Sequence, residues 1–502
     1  MSAAVKISPK YSRRRPELTI CYRILQDHLS TFIADREAEG RPIPDYVKEE
    51  FEAFLRCGIL AHGFLRLKCS CCKEEKITAF SCKKRGFCPS CCAKRQAEAA
   101  THLVQNVLPL VPYRQYVVSF PIPLRYWLQT NRKLYSKIHS IIIKQIHRYY
   151  HDKAVTKGIK DPKPGSISFT QRFGSALNLN PHCHILCPDG VYTRVDGRPK
   201  WNSIESITDD DVAALLTRIS QWVMRYLKKQ GLLDKDGEVV QNPIADGLFQ
   251  DSESLTCATS SSIAGKIAFG PNAGKFITRI GSGFGYGEET PLAKGKLCFS
   301  VNGFSLHART HINAHQRDGL HKLIEYLARG PLSNERLELA AEGKIKLRLK
   351  TKWSDGTTHL LLSPTAFMEK LMALIPPPKN HLVRWGGVLA SNSPFRREIT
   401  LKPKIKKGFQ FHDESEPRQL KNRSWSRMLA QVFKIDVTKC DACGSDMVAI
   451  CSVMERTSVQ RYLRHLGLDP DPPARAPPRS SQGEFDFASS AQSAHWWETA
   501  TT

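Results

Sequence analysis

Long apolar runs are missing from this chain. None approaches the ~18 residues that a membrane-crossing helix needs, and the N-terminus Met1-Ser2-Ala3-Ala4-Val5-Lys6 runs into basic sequence rather than a signal-peptide core. A soluble, intracellular protein is expected. A convincing Gly-rich loop ending in Lys-Ser/Thr is also absent, which removes the usual cradle for a nucleoside triphosphate. No internal repeat of solenoid length is present. Acidic residues are scarce beside basic ones, 48 Asp and Glu against 74 Lys and Arg, giving a net charge of +26 over 502 residues. Such an excess fits an extended polyanion better than a small acidic substrate, with nucleic acid ahead of an anionic membrane. The length allows roughly three domains at ~150 residues each, with cores large enough not to depend on disulfides.

What the chain does have is cysteine, sixteen in all, with eight between Cys57 and Cys92 and three between Cys440 and Cys451. Without a secretion signal, paired Cys-x-x-Cys units point to metal thiolates rather than disulfides. Cys69, Cys72, Cys88 and Cys91 give two such pairs separated by fifteen residues, the spacing of a zinc ribbon in which four thiolates close a structural tetrahedron. Cys71, Cys82 and Cys92 are neighbours able to substitute. Lys83, Lys84, Arg85, Lys94 and Arg95 make the same module basic, which favours docking on DNA. Cys440 and Cys443 form half of a second zinc site, with Cys451 as a third ligand and no obvious fourth.

Periodicity places helices over 18–36, 46–59, 93–107 and 124–150, and strands over 113–120, 167–173 and 182–186. A helix follows over 209–230, and the Gly/Ser-rich stretch 252–289 reads as an inserted loop over a substrate groove. Strand character returns over 296–312, then a helix over 318–328, a hairpin over 344–362 around Asp355-Gly356 and a helix over 364–375. Basic residues from Lys402 to Arg427, with a helix near Trp425, precede the Cys440 module, and the proline-bearing segment from Asp469 has the composition of a disordered tail. The opening fifteen residues read as a basic arm.

Two features carry chemistry. His182 and His184 alternate around Cys183 and so fall on one side of a strand, where a divalent ion or ordinary buried packing fits equally. Leu320, Leu323, Ile324 and Leu327 recur at helical spacing as a buried stripe, and Tyr326 stands beside it, free to face a groove. Tyr149, Tyr150 and Trp425, amid basic residues, suit either base stacking or packing.

Four separated segments then resemble one family. Cys57-Gly58-Ile59-Leu60-Ala61-His62-Gly63-Phe64 leads into Phe80-Ser81-Cys82-Lys83-Lys84-Arg85-Gly86-Phe87-Cys88-Pro89-Ser90-Cys91. Gln171-Arg172-Phe173-Gly174-Ser175-Ala176-Leu177-Asn178-Leu179-Asn180 and Tyr326-Leu327-Ala328-Arg329-Gly330-Pro331-Leu332-Ser333 follow in order. Together they resemble the rolling-circle insertion-sequence transposases of the HUH superfamily, over about residues 15–465. The resemblance implies an α+β fold: a HUH nuclease domain with a central antiparallel sheet flanked by helices, preceded by a helical zinc-ribbon domain and followed by a small basic C-terminal region. The expected division is a basic arm at 1–17, a zinc-binding domain at 18–108, the nuclease domain at 109–378 with an insertion at about 207–290, a basic region at 379–468 and a disordered tail at 469–502.

The same resemblance implies Tyr326 as nucleophile, His182 and His184 as ligands of a catalytic Mg or Mn, structural Zn, and single-stranded DNA ends of a mobile element as substrate. A third metal ligand is expected at His307 first and His321 second. Lys83, Lys84, Arg85, Arg172 and Arg329 form the expected DNA-contacting set, and a prokaryotic cytoplasm with nucleoid association is the expected location. Lys322 occupies the position four residues before Tyr326, where the founding branch has a second tyrosine, so the chain looks like the single-tyrosine branch of common-region (ISCR) elements. Gly330 stands where proline is frequent. A replication initiator or relaxase of the same superfamily, a non-catalytic zinc regulator of DNA and a His-x-His metallo-hydrolase are the alternatives.

Overall fold

A computed structural model describes residues 14–280, 295–353, 355–401 and 440–479. The basic arm up to residue 13, the basic run with Trp425 and the tail from residue 480 lie outside the described residues. The chain enters through two helices, Ile20–Ala38 and Asp45–Arg56. The first is opened by Thr19, whose hydroxyl accepts from the Tyr22 N–H at 3.3 Å, a standard N-cap that satisfies a donor with no helical partner. Its apolar stripe Cys21, Leu25, Leu29 and Phe32 is buried against Phe51 and Phe54 of the second helix. Phe87 closes on both phenyl rings at 5.2–5.3 Å between centroids.

The centre is an antiparallel sheet in the order Val383–Gly387, Gly165–Phe173, Leu179–Pro188, Tyr113–Ser119, Phe304–His307 and Cys298–Val301, with His311–Ile312 also pairing to Tyr113–Ser119. In the strand Leu179–Pro188, Cys183, Ile185 and Cys187 point to one face and are fully buried with the helices Arg132–Thr156 and Asp209–Lys229. His182, His184 and Leu186 necessarily point to the other face. That face is covered by the helices Pro89–His102 and Arg317–Ala328, whose Ala100, Leu320, Ile324 and Leu327 share a core with Ile167, Phe169 and Leu186. The sheet is therefore buried on both sides, and its two histidines face the helix that carries Tyr326.

Three expectations need correction. The helix expected over 124–150 is two helices, Ile122–Thr130 and Arg132–Thr156, because Asn131 adopts an extended backbone and its side chain accepts from the Leu134 N–H at 2.8 Å. The Gly/Ser-rich stretch is not wholly a loop: Glu253–Ala264 is a helix, its Leu255 and Ala258 buried with Phe269 and Ile277 in the same core as the N-terminal helices. Its Ser262 hydroxyl accepts from the Leu179 N–H at 2.9 Å, at the start of the histidine strand. Residues 469–479 are ordered along the first helix, with Ala476 N–H donating to the Gln26 carbonyl at 3.2 Å and Arg479 N–H to the Thr31 hydroxyl at 3.0 Å. Among the described residues, no helix is long and apolar enough to cross a membrane.

Candidate metal centres and tyrosine site

The cysteines fold into two clusters, and the grouping differs from the one the spacing suggests. Cys69, Cys72, Cys88 and Cys91 do not meet as one set. Cys88 and Cys91 join Cys57 and Cys82, while Cys69 and Cys72 join Cys440 and Cys443, the sulfurs of each set lying within 4.8 Å of one another. Sulfur separations of 3.3, 3.6 and 3.8 Å in the first set and 3.4 Å twice in the second approach the ~3.8 Å edge of a tetrahedron with ~2.3 Å zinc–sulfur bonds. Both sets fit structural zinc.

The physical reason for the regrouping is the hairpin Phe64–Cys69/Glu75–Ala79, whose knuckle carries Cys69 and Cys72. The strand Met447–Val453 pairs with its free edge, setting Met447 opposite Cys69, and so delivers the Cys440–Cys443 knuckle to the same point. The C-terminal half-site thus finds its other half 368 positions upstream, at Cys72. Cys451 faces outward on that strand, exposed, and joins neither cluster. Cys88 and Cys91 instead sit at the N-terminus of the helix Pro89–His102, buried against Cys57. Cys82, one of the neighbours held open by the sequence, is the fourth sulfur there.

A third candidate centre lies on the histidine face of the sheet. The rings of His182 and His184 are 4.9 Å apart between centroids, and the ring of Tyr326 meets His184 edge-on at 5.7 Å. Tyr326 remains 46% exposed, so its ring is reachable from solvent while its helix is anchored. The Arg329 guanidinium lies 4.3 Å from the tyrosine ring centroid and the Lys350 ammonium 5.9 Å. Two glutamines that the sequence reading passed over hold this arrangement. Gln171, opposite His182 in the neighbouring strand, donates to the carbonyls of Tyr326 and Leu327 at 2.9 and 3.0 Å, satisfying carbonyls that the end of a helix leaves open. Gln115 lies 2.7 Å from Nδ1 of His184. The signal for both was a polar amide at a position where strand alternation demands burial.

Nδ1 of His182 donates to its own strand at the Asn180 carbonyl, 2.7 Å away, which leaves Nε2 with its lone pair. Nε2 of His184 is buried without a hydrogen-bond partner, as are Oδ1 of Asn180 and Nε of Arg329. Burial lowers the pKa of both imidazoles, that of His184 to about 3 with help from His182 and Arg329. Neutral rings with unspent nitrogens are the form in which histidine binds a metal.

His307 does not complete this pair. It is in register with Val117, which is in register with His184; two strand spacings, about 10 Å, separate the outer two. Among the described residues no third His, Cys, Asp or Glu gathers with His182 and His184. His321 is engaged elsewhere, 3.2 Å from the Thr101 hydroxyl of the zinc-bearing helix and 3.8 Å from Glu325.

Of the expected DNA-contacting residues, Arg172 is withdrawn. It is buried, its guanidinium donating to Gln129 and to the Leu374 and Ala373 carbonyls at 2.9–3.2 Å, so it serves as a clamp on a helix end. Lys83, Lys84 and Arg85 lie on the loop between Cys82 and Cys88, with Lys84 paired to Glu49 at 3.2 Å and Arg85 reaching the Asn380 carbonyl at 3.4 Å. Arg329 stands at the tyrosine. Tyr149 and Tyr150 are buried, with Tyr150 donating to Asp189 at 2.9 Å, so they pack and do not stack bases.

Two clusters of four cysteines that fit zinc and a sheet carrying a histidine pair beneath a tyrosine helix define a mixed α/β protein. Two family models match it: "Transposase zinc-binding domain" over residues 24–120 and "Putative transposase" over residues 165–396. The first span holds all four cysteines of the Cys57 cluster, and the second holds His182, His184, Gln171 and Tyr326. The chain is thus a transposase-like protein with an N-terminal four-cysteine zinc-binding domain. No curated protein and no solved structure matches it.

Proposed function

We propose that the protein is a HUH-type, single-tyrosine transposase of a rolling-circle element, cutting and rejoining single-stranded DNA through a 5′-phosphotyrosine link. The observation that carries this reading is the contact of Tyr326 with His184, held by Gln171 between the tyrosine helix and the strand opposite His182. The tyrosine oxygen attacks phosphorus, the bond from phosphorus to the 3′-oxygen breaks, that oxygen leaves as a 3′-OH after taking a proton, and the phenol proton passes to solvent. The phosphodiester energy stays in the tyrosine link for a later joining step, which agrees with the missing triphosphate loop. Arg329 and Lys350 flank the ring where negative charge develops on the phosphate, and preorganised cations there lower the barrier.

His182 and His184 would hold a divalent ion through their Nε2 atoms, and the buried, unpartnered Nε2 of His184 fits that role. Such an ion supplies Lewis-acid polarisation of the scissile phosphate. Incubation with single-stranded oligonucleotides from element ends, with Mn or with EDTA, tests the reading on a denaturing gel. A DNA-shifted band is expected for wild type with Mn and not for Tyr326→Phe. A shifted band that survives in Tyr326→Phe sinks the nucleophile assignment, and no band under any condition favours a non-catalytic regulator.

A further inference from the structure

We propose a second single-stranded nucleic-acid track on the sheet face opposite the tyrosine. A groove of about 520 Å³ runs between the helix Arg132–Thr156 and the edge strand Val383–Gly387. Its walls carry Arg132, Lys133, Lys137, Lys379, His381 and Arg384 against one carboxylate, Asp246, which Arg132 already takes at 2.7 Å. No carboxylate among the described residues pairs with Lys133, Lys137 or Lys379, and all three are exposed. With Arg384, four cations are thus left over in one short groove, where their fields add instead of being spent on each other.

The register fixes which face this is. Arg384 is opposite Ser168, Ser168 is opposite Ile185, and Ile185 points away from His182 and His184. The guanidinium of Arg384 donates to the Ser136 hydroxyl at 2.9 Å and lies 5.3 Å from the Tyr135 ring centroid. These two contacts hold a charged guanidinium at the groove wall. The opposite wall of the sheet thus owns a set of cations that the tyrosine site cannot use.

Chemistry selects a single strand as occupant. Beyond Arg384 the groove continues past His381, Ser391 and Asn392, so phosphate-pairing cations give way to an exposed imidazole ring and small polar side chains, while the Trp385 ring, next along the strand, turns to the other face and packs beneath Arg396. A basic channel with aromatic stacking surface is the general recipe for holding unpaired bases. At its other end Arg85 donates to the Asn380 carbonyl, joining the groove to the basic loop beside the Cys57 zinc cluster. The track rests on the proposed transposase reading only in the choice of DNA as the polyanion.

The test uses the full chain and a labelled oligo-dT of about twenty nucleotides, followed by fluorescence anisotropy over a range of salt. Reversal of the three lysines in Lys133→Glu/Lys137→Glu/Lys379→Glu is expected to weaken binding at least 10-fold. Loss of three phosphate contacts should flatten the slope of log K against log salt by about 2. Unchanged affinity and slope in the triple variant overturn the track, and tighter binding of the matching duplex overturns the single-strand assignment. Photocrosslinking of wild type with 5-iododeoxyuridine oligonucleotides does not depend on any variant folding. Adducts on the peptide containing His381 support the track, and adducts confined to the Tyr326 side overturn it. Failure of the phosphotyrosine gel leaves these readouts untouched, so the two proposals fail separately.

Discussion

Gln171 spends both ends of its amide at the site, donating to the carbonyls of Tyr326 and Leu327 while its oxygen lies 3.5 Å from Arg329. Leucine has similar bulk but no donor, so Gln171→Leu leaves two carbonyls of a buried helix end open, at a cost of about 1–3 kcal/mol. The larger effect is on aim, since a nucleophile displaced by ~1 Å loses on the order of 10²-fold in rate. Single-turnover strand cleavage is therefore expected to fall about 100-fold in this variant while oligonucleotide anisotropy stays near wild type; equal losses in both would mean Gln171 acts on binding. Gln115 works on His184 instead. The structure sets its amide nitrogen at Nδ1, which puts the ring proton on Nε2; with the two amide ends exchanged, its oxygen accepts the Nδ1 proton and frees Nε2, the orientation that metal binding selects. Gln115→Leu removes this control, and Mn affinity measured by titration calorimetry should drop 10–100-fold. Sequence alone reached His182, His184 and Tyr326 because their residue types advertise chemistry. The glutamines carry only the weaker signal of a polar amide at a buried strand position, and their role shows once register sets Gln171 beside His182.

Elements repeat the pattern of support from behind. The helix with Tyr326 packs on the helix that begins at the Cys88 and Cys91 knuckle, and Gly330, just past the tyrosine helix, touches that support directly: a Cβ there would stand 2.5 Å from Cβ of Cys92 and 2.9 Å from its sulfur. Gly330 is thus a close-approach residue. Gly330→Ala should lower stability by about 1–3 kcal/mol through overpacking and reduce adduct yield, and Cys92→Gly, which removes both clashing atoms, should restore part of each. Thermal melts and the denaturing gel read the two effects; no recovery in the double variant would show that the glycine matters for another reason. On the opposite face, His139 and His147 lie 2.8 and 2.9 Å from the Ser168 and Ser166 hydroxyls, and burial lowers their pKa values to about 3 and about 4. The unfolded chain takes up these protons below its ordinary histidine pKa near ~6.5 while the folded one refuses them. Stability is thus expected to fall as pH drops from about 6.5 toward 4, by about 1.4 kcal/mol per pH unit for each fully differing histidine; denaturant titrations across that range should give a shallower slope for His139→Gln/His147→Gln. Amphipathic helices were legible here because the 3.6-residue period survives packing, and the central strands because short runs such as Tyr113–Ser119, buried almost throughout, are bounded by turn residues. The break at Asn131 and the helix Glu253–Ala264 were not, since a capping asparagine reads as polar surface and a serine-rich helix packs through small residues whose composition resembles a loop.

At the scale of the whole molecule the decisive fact is that the C-terminal knuckle completes a metal site begun at Cys69 and Cys72. Cysteine spacing could not reveal it, because three knuckles of equal chemistry can be matched in more than one way and local spacing favours the nearest pair. What selects the distant pair is the sheet: Met447–Val453 needs an edge, and the hairpin edge at Phe64–Cys69 accepts it in register. Closing a loop of 368 positions costs roughly 5 kcal/mol by the logarithmic law plus a constant, whereas a structural zinc supplies on the order of 10–16 kcal/mol at neutral pH. The metal wins with a margin that also fastens residues 440–479 to the N-terminal helices, where Arg475 and Glu52 form an ion pair and Arg479 meets Thr31. Wild-type protein is therefore expected to bind two zinc ions per chain, and Cys440→Ser/Cys443→Ser one, by mass spectrometry under native conditions. Limited proteolysis should then cut the double variant ahead of residue 440 and release a C-terminal fragment that wild type retains, while the remaining zinc at Cys57, Cys82, Cys88 and Cys91 keeps the tyrosine helix buttressed and DNA cleavage largely intact. Loss of both metals in that variant would show the two clusters to be one cooperative unit, and retention of both would place the second zinc on ligands other than Cys440 and Cys443.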